Sequence, residues 1–430
     1  MKRMFVILLL SVFALAACTE GKDSGKTEIR FSWWGDTARH EIYNAIADLF
    51  EKANPDVKVI REPATWADFW TRLSTQAAGR NAPTVFGMHP QFVSDYALRG
   101  VLADLEPFVQ DGTIDTTYIS DPVLDSGRVR GTLYGISQGV TFTGFIANMT
   151  LLERFGIRVP GRTEDWTWDE FEAAAITFTD ATKAAGETMY FSTDWSVNWI
   201  RFKAMAMQYG GDQFTEDGRL GFEESVLINW FRLWNRLRDY GAIPDQATST
   251  EDNQMPLEQR LTAQGRMAMV GQAANQLSLY QAAADQYDWD LIRIPSTPNQ
   301  VARGEVIEGA HFAISNATSA SQKEAAARFI NFFINTEESL EIFLLDQGVP
   351  PNERLGEYIR PLLPVQGQRL IEFANALLPV ANTATYAPLG ASEIDQLFQN
   401  IGEQVSFGVL TPEDGAHSFM VQATQILERN

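Results

Sequence analysis

Residues 27–88 switch between two hydrophobic periods, and this rhythm limits the fold more than any other feature of the chain. Residues 27–33 (TEIRFSW) set Ile29, Phe31 and Trp33 on one face and polar side chains on the other, the period-two pattern of a strand. Trp34-Gly35-Asp36 breaks it. Over residues 40–53, Ile42, Ile46, Leu49 and Phe50 recur at helical spacing. Asn54-Pro55 ends that helix, because a residue before proline avoids the helical region. Val57, Val59 and Ile60 lie in a second strand-like run, residues 66–78 read as a helix, and residues 84–88 are a short apolar run after Pro83. Strand, helix, strand, helix, strand in this order predicts parallel βαβ units with right-handed crossovers. The fold class is α/β.

Later segments are mostly helical. Thr167-Trp168-Asp169-Glu170 reads as a capping box, and Ser321-Gln322-Lys323-Glu324 reads as a second one. Thr411-Pro412-Glu413-Asp414 offers a cap, a proline at the first helical position and two acids in the first turn. Leu227, Trp230, Phe231 and Trp234 form a wide apolar stripe that belongs in a core. At 430 residues the chain is long enough for two domains.

The first residues bear on location. Lys2 and Arg3 precede an apolar run too short to span a bilayer, which needs roughly 20 apolar residues. Leu15-Ala16-Ala17-Cys18 closes that run in the manner of a bacterial lipobox, so residues 1–17 read as a lipoprotein signal peptide and Cys18 as the lipidated residue. An ordinary cleavable signal beside a chance cysteine is the alternative. Cys18 is the sole cysteine, so it has no disulfide partner within the chain. Residues 18–26 read as a flexible linker. Gly25-Lys26-Thr27 is not a phosphate loop, because Glu20 stands where that motif needs glycine. Without Lys2 and Arg3 the formal charge moves from −21 to −23. Such a body repels nucleic acid, so no nucleic-acid partner is expected. The four histidines, His40, His89, His311 and His417, lack zinc spacing, and no calcium-loop pattern occurs, so neither a metal nor a cofactor is expected.

Several blocks, in their order, give the chain a relative. They are Phe31-Ser32-Trp33-Trp34-Gly35; Glu41 with residues 50–59 (FEKANPDVKV); and Tyr134-Gly135-Ile136-Ser137 leading to Ala147-Asn148, Leu152 and Phe155-Gly156-Ile157. Residues 166–171 (WTWDEF), 265–271 (GRMAMVG), 312–315 (FAIS), 324–330 (EAAARFI) and 348–350 (GVP) follow. The chain resembles the extracellular solute-binding proteins of ATP-driven importers, in the family-1 group that includes maltose-binding protein. Ser137, Met149 and Gln272-Ala273-Ala274 depart from that pattern, which bears on the sugar and not on the fold. The resemblance implies a two-lobe periplasmic-binding-protein clamshell, class II-like, with three hinge crossings and a ligand cleft between the lobes. It places the crossings near residues 137–141, 308–311 and 347–351. The lobes would be residues 27–137 plus 311–347 and residues 138–310 plus 348–430. It also implies a monomeric lipoprotein in the cell envelope, facing the periplasm or exterior, that hands a carbohydrate to ABC permease subunits. A ligand-presenting sensor is the alternative.

A sugar site needs flat aromatic faces and fixed hydrogen-bonding side chains. Trp34 and Asp36 end the first strand, at the edge where open α/β sheets bind ligands. Trp66 and His89 follow the second and third strand runs; a helix-start staple and a turn role are their alternatives. Trp195 and Trp199 are spaced so that one packs in a core and one faces the cleft. Gln138 resembles a frequent ligand position of the family, and Gln272, Asn275, Gly309 and His311 complete the expected set. Arg39, Arg303 and Arg354 are the basic residues expected nearest the cleft, too sparse to favour an acidic ligand. Enzyme chemistry has little support. A glycoside-hydrolase carboxylate pair is defined by a separation of about 5 Å or about 6.5–9.5 Å that sequence does not give, and no Gly-x-Ser-x-Gly elbow occurs.

Overall fold

β1 (Thr27–Trp34) pairs in parallel with β2 (Val57–Ala64) and β3 (Val85–Met88). Between them run α1 (Thr37–Ala53) and α2 (Trp66–Ala78), and α3 (Pro90–Leu98) follows β3. The predicted βαβ rhythm is therefore present at this end of the chain. The computed structural model describes residues 25–382 and 384–429. The signal segment, Cys18 and most of the linker lie outside the described residues.

The remaining strands are β4 (Arg128–Val129), β5 (Thr132–Leu133), β6 (Ile136–Ser137), β7 (Thr143–Asn148), β8 (Tyr190–Ser192), β9 (Met267–Ala273), β10 (Trp289–Ile292) and β11 (His311–Ile314). β4 and β5 form a hairpin. The first lobe is built on a sheet ordered β2-β1-β3-β11-β6, and the second on a sheet ordered β10-β7-β9-β8. In the first, β11 returns antiparallel to both β3 and β6.

Helices cover both faces of the first sheet, so β1 is buried on both sides of its pleat near its end. Ile29, Phe31 and Trp33 enter one apolar cluster. Trp34 points the opposite way, as alternation requires, and there meets Phe69 of α2 in a second cluster. The helix Trp168–Ala184 has the capping box expected at Thr167 and Glu170. The second expected box is displaced by two residues. Ser319 caps the helix Ala320–Asn335 with Gln322 as its partner, while Ser321 lies within the first turn.

Three chain crossings join the lobes, side by side and hydrogen-bonded. Val140 and Val349 exchange backbone bonds of 2.7 and 2.8 Å, and Thr141 and Glu308 exchange bonds of 3.0 and 2.8 Å. The Gln138 amide donates to the Ala310 carbonyl at 2.8 Å. An apolar cluster runs through this junction, from Phe31 and Trp33 past Val140 and Phe142 to Ile146 and Trp289. After the third crossing the helix Glu353–Ile359 packs on Glu337–Phe343, on the first lobe's side, before Val365–Leu377 reaches β10.

Two glycines make the junction possible. Gly309 has φ +127°, and a methyl there would sit 2.1 Å from the Gly139 carbonyl oxygen. Gly348 has φ +115°, with the Val140 carbonyl oxygen 2.3 Å from its would-be methyl. Gly309→Ala is expected to cost more than about 1 kcal/mol, since alanine gains nothing at a positive φ and here also collides with backbone. The measurement is thermal melting, where about 1 kcal/mol shifts a domain of about 150–250 residues by roughly 2–4 °C.

Candidate functional site

Between the lobes lies a cleft of about 980 Å³, at the upper end of the roughly 300–1,000 Å³ found for small-molecule sites. Its first-lobe wall includes residues 89–91, 93 and 94, from the start of α3, and residues 128–131 of the β4–β5 hairpin. Its second-lobe wall includes residues 198–201, at the start of the helix Trp199–Gln208, and residues 384–387. Trp199, Phe214 and Tyr386 are among its lining residues, the first two almost fully buried. Two side-chain bonds bridge the lobes across it. Gln91 Nε2 donates to Asp395 Oδ2 at 2.9 Å. Arg130 Nε donates to the Tyr386 hydroxyl at 3.1 Å, and that hydroxyl donates to the Glu216 carbonyl at 2.9 Å. Burial raises the Asp395 carboxyl pKa, and the Gln91 amide opposes the shift.

Three expected ligand residues, His89, Trp199 and Gln272, line this cleft. The Gln272 amide makes no hydrogen bond among the described residues, so it is available to a ligand. His89 caps α3, its Nδ1 accepting from the Gln91 amide at 3.3 Å. Loss of water pushes its pKa down to about 4; Glu308 pulls it upward, and the facing Lys203 and Arg201 add smaller downward pushes. The neutral ring therefore carries its hydrogen on Nε2. Trp199 lies in the wall with little of its surface open, packed on Phe202, Phe398 and Phe419.

The other expected residues do not line it, and each has a physical reason. Trp34 is 8% exposed and packed against Phe69 and Trp70 at 5.2 and 5.6 Å, because the second face of the sheet is covered too. Asp36 is the N-cap of α1, its Oδ1 accepting from the Arg39 amide at 3.0 Å. Trp66 stands 44% exposed at the start of α2, edge-on to Trp34 and His89. Gln138 is buried with both ends occupied, accepting from Tyr43 at 2.6 Å and donating to the His311 carbonyl at 3.0 Å. Asn275 braces the hinge through the Asp346 carbonyl and Thr141 Oγ1. Gly309 serves the backbone approach described above. Trp195 lies in a loop, stacked on Phe145 at 4.6 Å and 3°, and lines a small cavity beside the cleft. His311 is buried, its Nε2 at 2.9 Å from Ser126 Oγ. That contact is not a nucleophile pair: the Ser126 hydroxyl donates to the Val123 carbonyl at 2.6 Å, so the imidazole does not draw its hydrogen.

The basic residues of the cleft also differ from expectation. Arg39 is paired with Asp346, Arg303 with Asp165 and Glu305, and Arg354 lies over the Tyr118 ring. The cleft is instead lined by Arg128, Arg130, Arg201 and Lys203. Arg201 and Lys203 sit two residues apart on one helix, which in sequence looks like an ordinary solvated face. Gln91, Tyr386 and Asp395 carry no sequence signal, because their partners lie hundreds of residues away.

Two expectations follow from this arrangement. Trp34→Ala is expected to cost about 3–5 kcal/mol, as for large aromatic truncations in a core, whereas Trp66→Ala costs about 1 kcal/mol or less; urea unfolding of both variants checks this. His311 is held neutral by burial, its pKa pushed down to about 4. The unfolded chain therefore binds a proton there before the fold does. Its contribution is complete above about pH 6.5 and is lost as pH falls toward 4, with a slope of up to about 1.4 kcal/mol per pH unit. Unfolding between pH 7.5 and 5 is expected to show that loss, and His311→Gln to reduce it.

The fold has known counterparts. A solved extracellular solute-binding protein family 1 member from Alicyclobacillus acidocaldarius is 25% identical, with 94% of this chain and 100% of that one covered and a TM-score of 0.73. The ABC substrate-binding protein of Listeria monocytogenes in complex with cycloalternan is 24% identical, with 94% and 99% covered and a TM-score of 0.76. An uncharacterised lipoprotein in the oleD 5′ region of Streptomyces antibioticus is 26% identical over 181 residues. That match takes in 40% of this chain and 38% of the relative, so it spans well under half of either. The family model of the bacterial extracellular solute-binding proteins matches residues 45–356, most of the chain, and the chain belongs to that family.

Proposed function

We propose that the protein captures a mono- to oligosaccharide in the cleft by hinge closure and delivers it to the membrane permease of an ABC importer. In this reading Cys18 bears the lipid that tethers it, facing the periplasm or exterior. The lobes divide at the three crossings, as residues 27–137 plus 311–347 and residues 138–310 plus 348–430, with Glu353–Ile359 remaining against the first lobe.

The observation that carries the reading is a cleft of about 980 Å³ whose aromatic lining residues and free side-chain amide come from separated parts of the chain. Tyr386, the most open of the aromatic lining residues, suits the apolar C–H face of a sugar, and Gln272 and His89 Nε2 suit its hydroxyls. Contacts drawn from both lobes are complete only when the lobes are together, so a ligand there shifts the population toward closure. The Listeria protein's complex with cycloalternan is consistent with an oligosaccharide in such a cleft.

The test is a thermal-shift screen of the mature protein against mono-, di- and oligosaccharides, with amino acids and peptides as controls. A cognate sugar at 100 times its dissociation constant is expected to stabilise by about 2.7 kcal/mol. Silence across all sugars beside a response to another solute class overturns the reading, and release of reducing sugar overturns its non-enzymatic character.

A further inference from the structure

Beside the cleft lies a cavity of about 20 Å³ that shares the walls Ile200, Arg201, Lys203, Val306 and Glu308 with it and adds Trp195 and Thr143. About 10–15 Å³ suffices for one water-sized group, so the chamber admits a single oxygen and little more. The groups around it are unequal in kind. Trp195 is 3% exposed, and its Nε1–H has no hydrogen-bond partner. The half-buried Lys203 ammonium makes no hydrogen bond or ion pair among the described residues. Glu308 Oε1, the carboxylate nearby, already accepts from Thr143 Oγ1 at 2.7 Å and lies 3.4 Å from Arg201. Arg201 also donates to Thr143. Glu305, in the same wall, is paired with Arg293 and Arg303, which leaves Lys203 as the cation of this wall without a partner among the described residues.

The rest of the cleft does not supply the missing acceptor. Arg128 is paired with Glu106 and Asp125, Asp395 accepts from Gln91, and Glu216 is exposed. A neutral ligand closing over Lys203 would strip water from an ammonium and leave it unpaired, which is costly. A ligand bringing a negative oxygen meets the Lys203 ammonium, with Arg201 and Trp195 in the same wall.

We propose that this chamber, formed by Trp195, Arg201 and Lys203, is a subsite for one anionic substituent of the ligand, a carboxylate on a sugar ring. This rests on the carbohydrate reading and narrows it from sugars in general to acidic ones.

The experiment is isothermal titration of the mature protein with a disaccharide of two uronic acids and with its carboxyl-reduced, neutral counterpart. The acidic sugar is expected to bind at least about tenfold tighter, in line with a charge-assisted contact made to one ligand alone. Lys203→Met is expected to abolish that preference, bringing the acidic and neutral sugars within about twofold of each other. Lys203→Arg is expected to retain it, and it decides the matter if the methionine variant does not fold. Equal or tighter binding of the neutral sugar overturns the subsite and leaves carbohydrate binding standing, as does an acidic preference indifferent to both substitutions. If neither disaccharide nor any sugar of the wider screen binds, the carbohydrate reading falls and the subsite with it.

Discussion

Everything else in the molecule depends on the close approach of three backbone segments between the lobes. The first crossing lies between the other two and bonds to both, through Val140 with Val349 and Thr141 with Glu308. Such spacing tolerates no side chain at Gly309 or Gly348. Around this ribbon, polar side chains are used for bracing: Tyr43 to Gln138, Gln138 to His311, Asn275 to Asp346, and Asp346 to Arg39. Because the apolar cluster also passes through the junction, relative motion of the lobes is restricted to bending about it. The hinge fixes which walls can face each other.

The bonds across the cleft then set the balance between open and closed. Gln91–Asp395 and Arg130–Tyr386 join elements far apart in sequence, so they form only when the lobes are together. A net contribution of about 0.5–1.5 kcal/mol for each such bond is small beside the order lost on closing. Closure by these bonds alone is thus marginal, and in the proposed reading a ligand touching both walls provides the remainder.

The frame was legible in the sequence, and the site much less so. The period switch over residues 27–88 located β1, α1, β2, α2 and β3, because backbone period and burial act over a few residues. Ordered blocks located the crossings. Trp34 shows where local reasoning stops. Its alternation was read correctly, but whether the far face of a sheet meets water or a helix is decided by α2, whose packing is a tertiary matter. Gln138 and Asn275 misled for a related cause, since an amide near a hinge serves bracing and ligand binding equally well by residue type. Lys203 was invisible because its significance is the absence of a partner, and partners are assigned by the fold.

A division of labour follows from these placements. Residues that hold the hinge spend side-chain hydrogen bonds within the protein, as Gln138 does at both ends, so changing them disturbs the junction first. Cleft residues come instead from α3, the hairpin, the start of Trp199–Gln208 and residues 384–395, each anchored by its own packing. Trp199 illustrates the arrangement: its ring is held by Phe202, Phe398 and Phe419 while the residue lines the cleft. Lys203, four residues along the same helix, is then presented on a rigid base, although the ammonium itself is unpaired. Charge at that position can change without loss of a fold-stabilising pair, so ligand class can vary on this frame while the hinge stays the same.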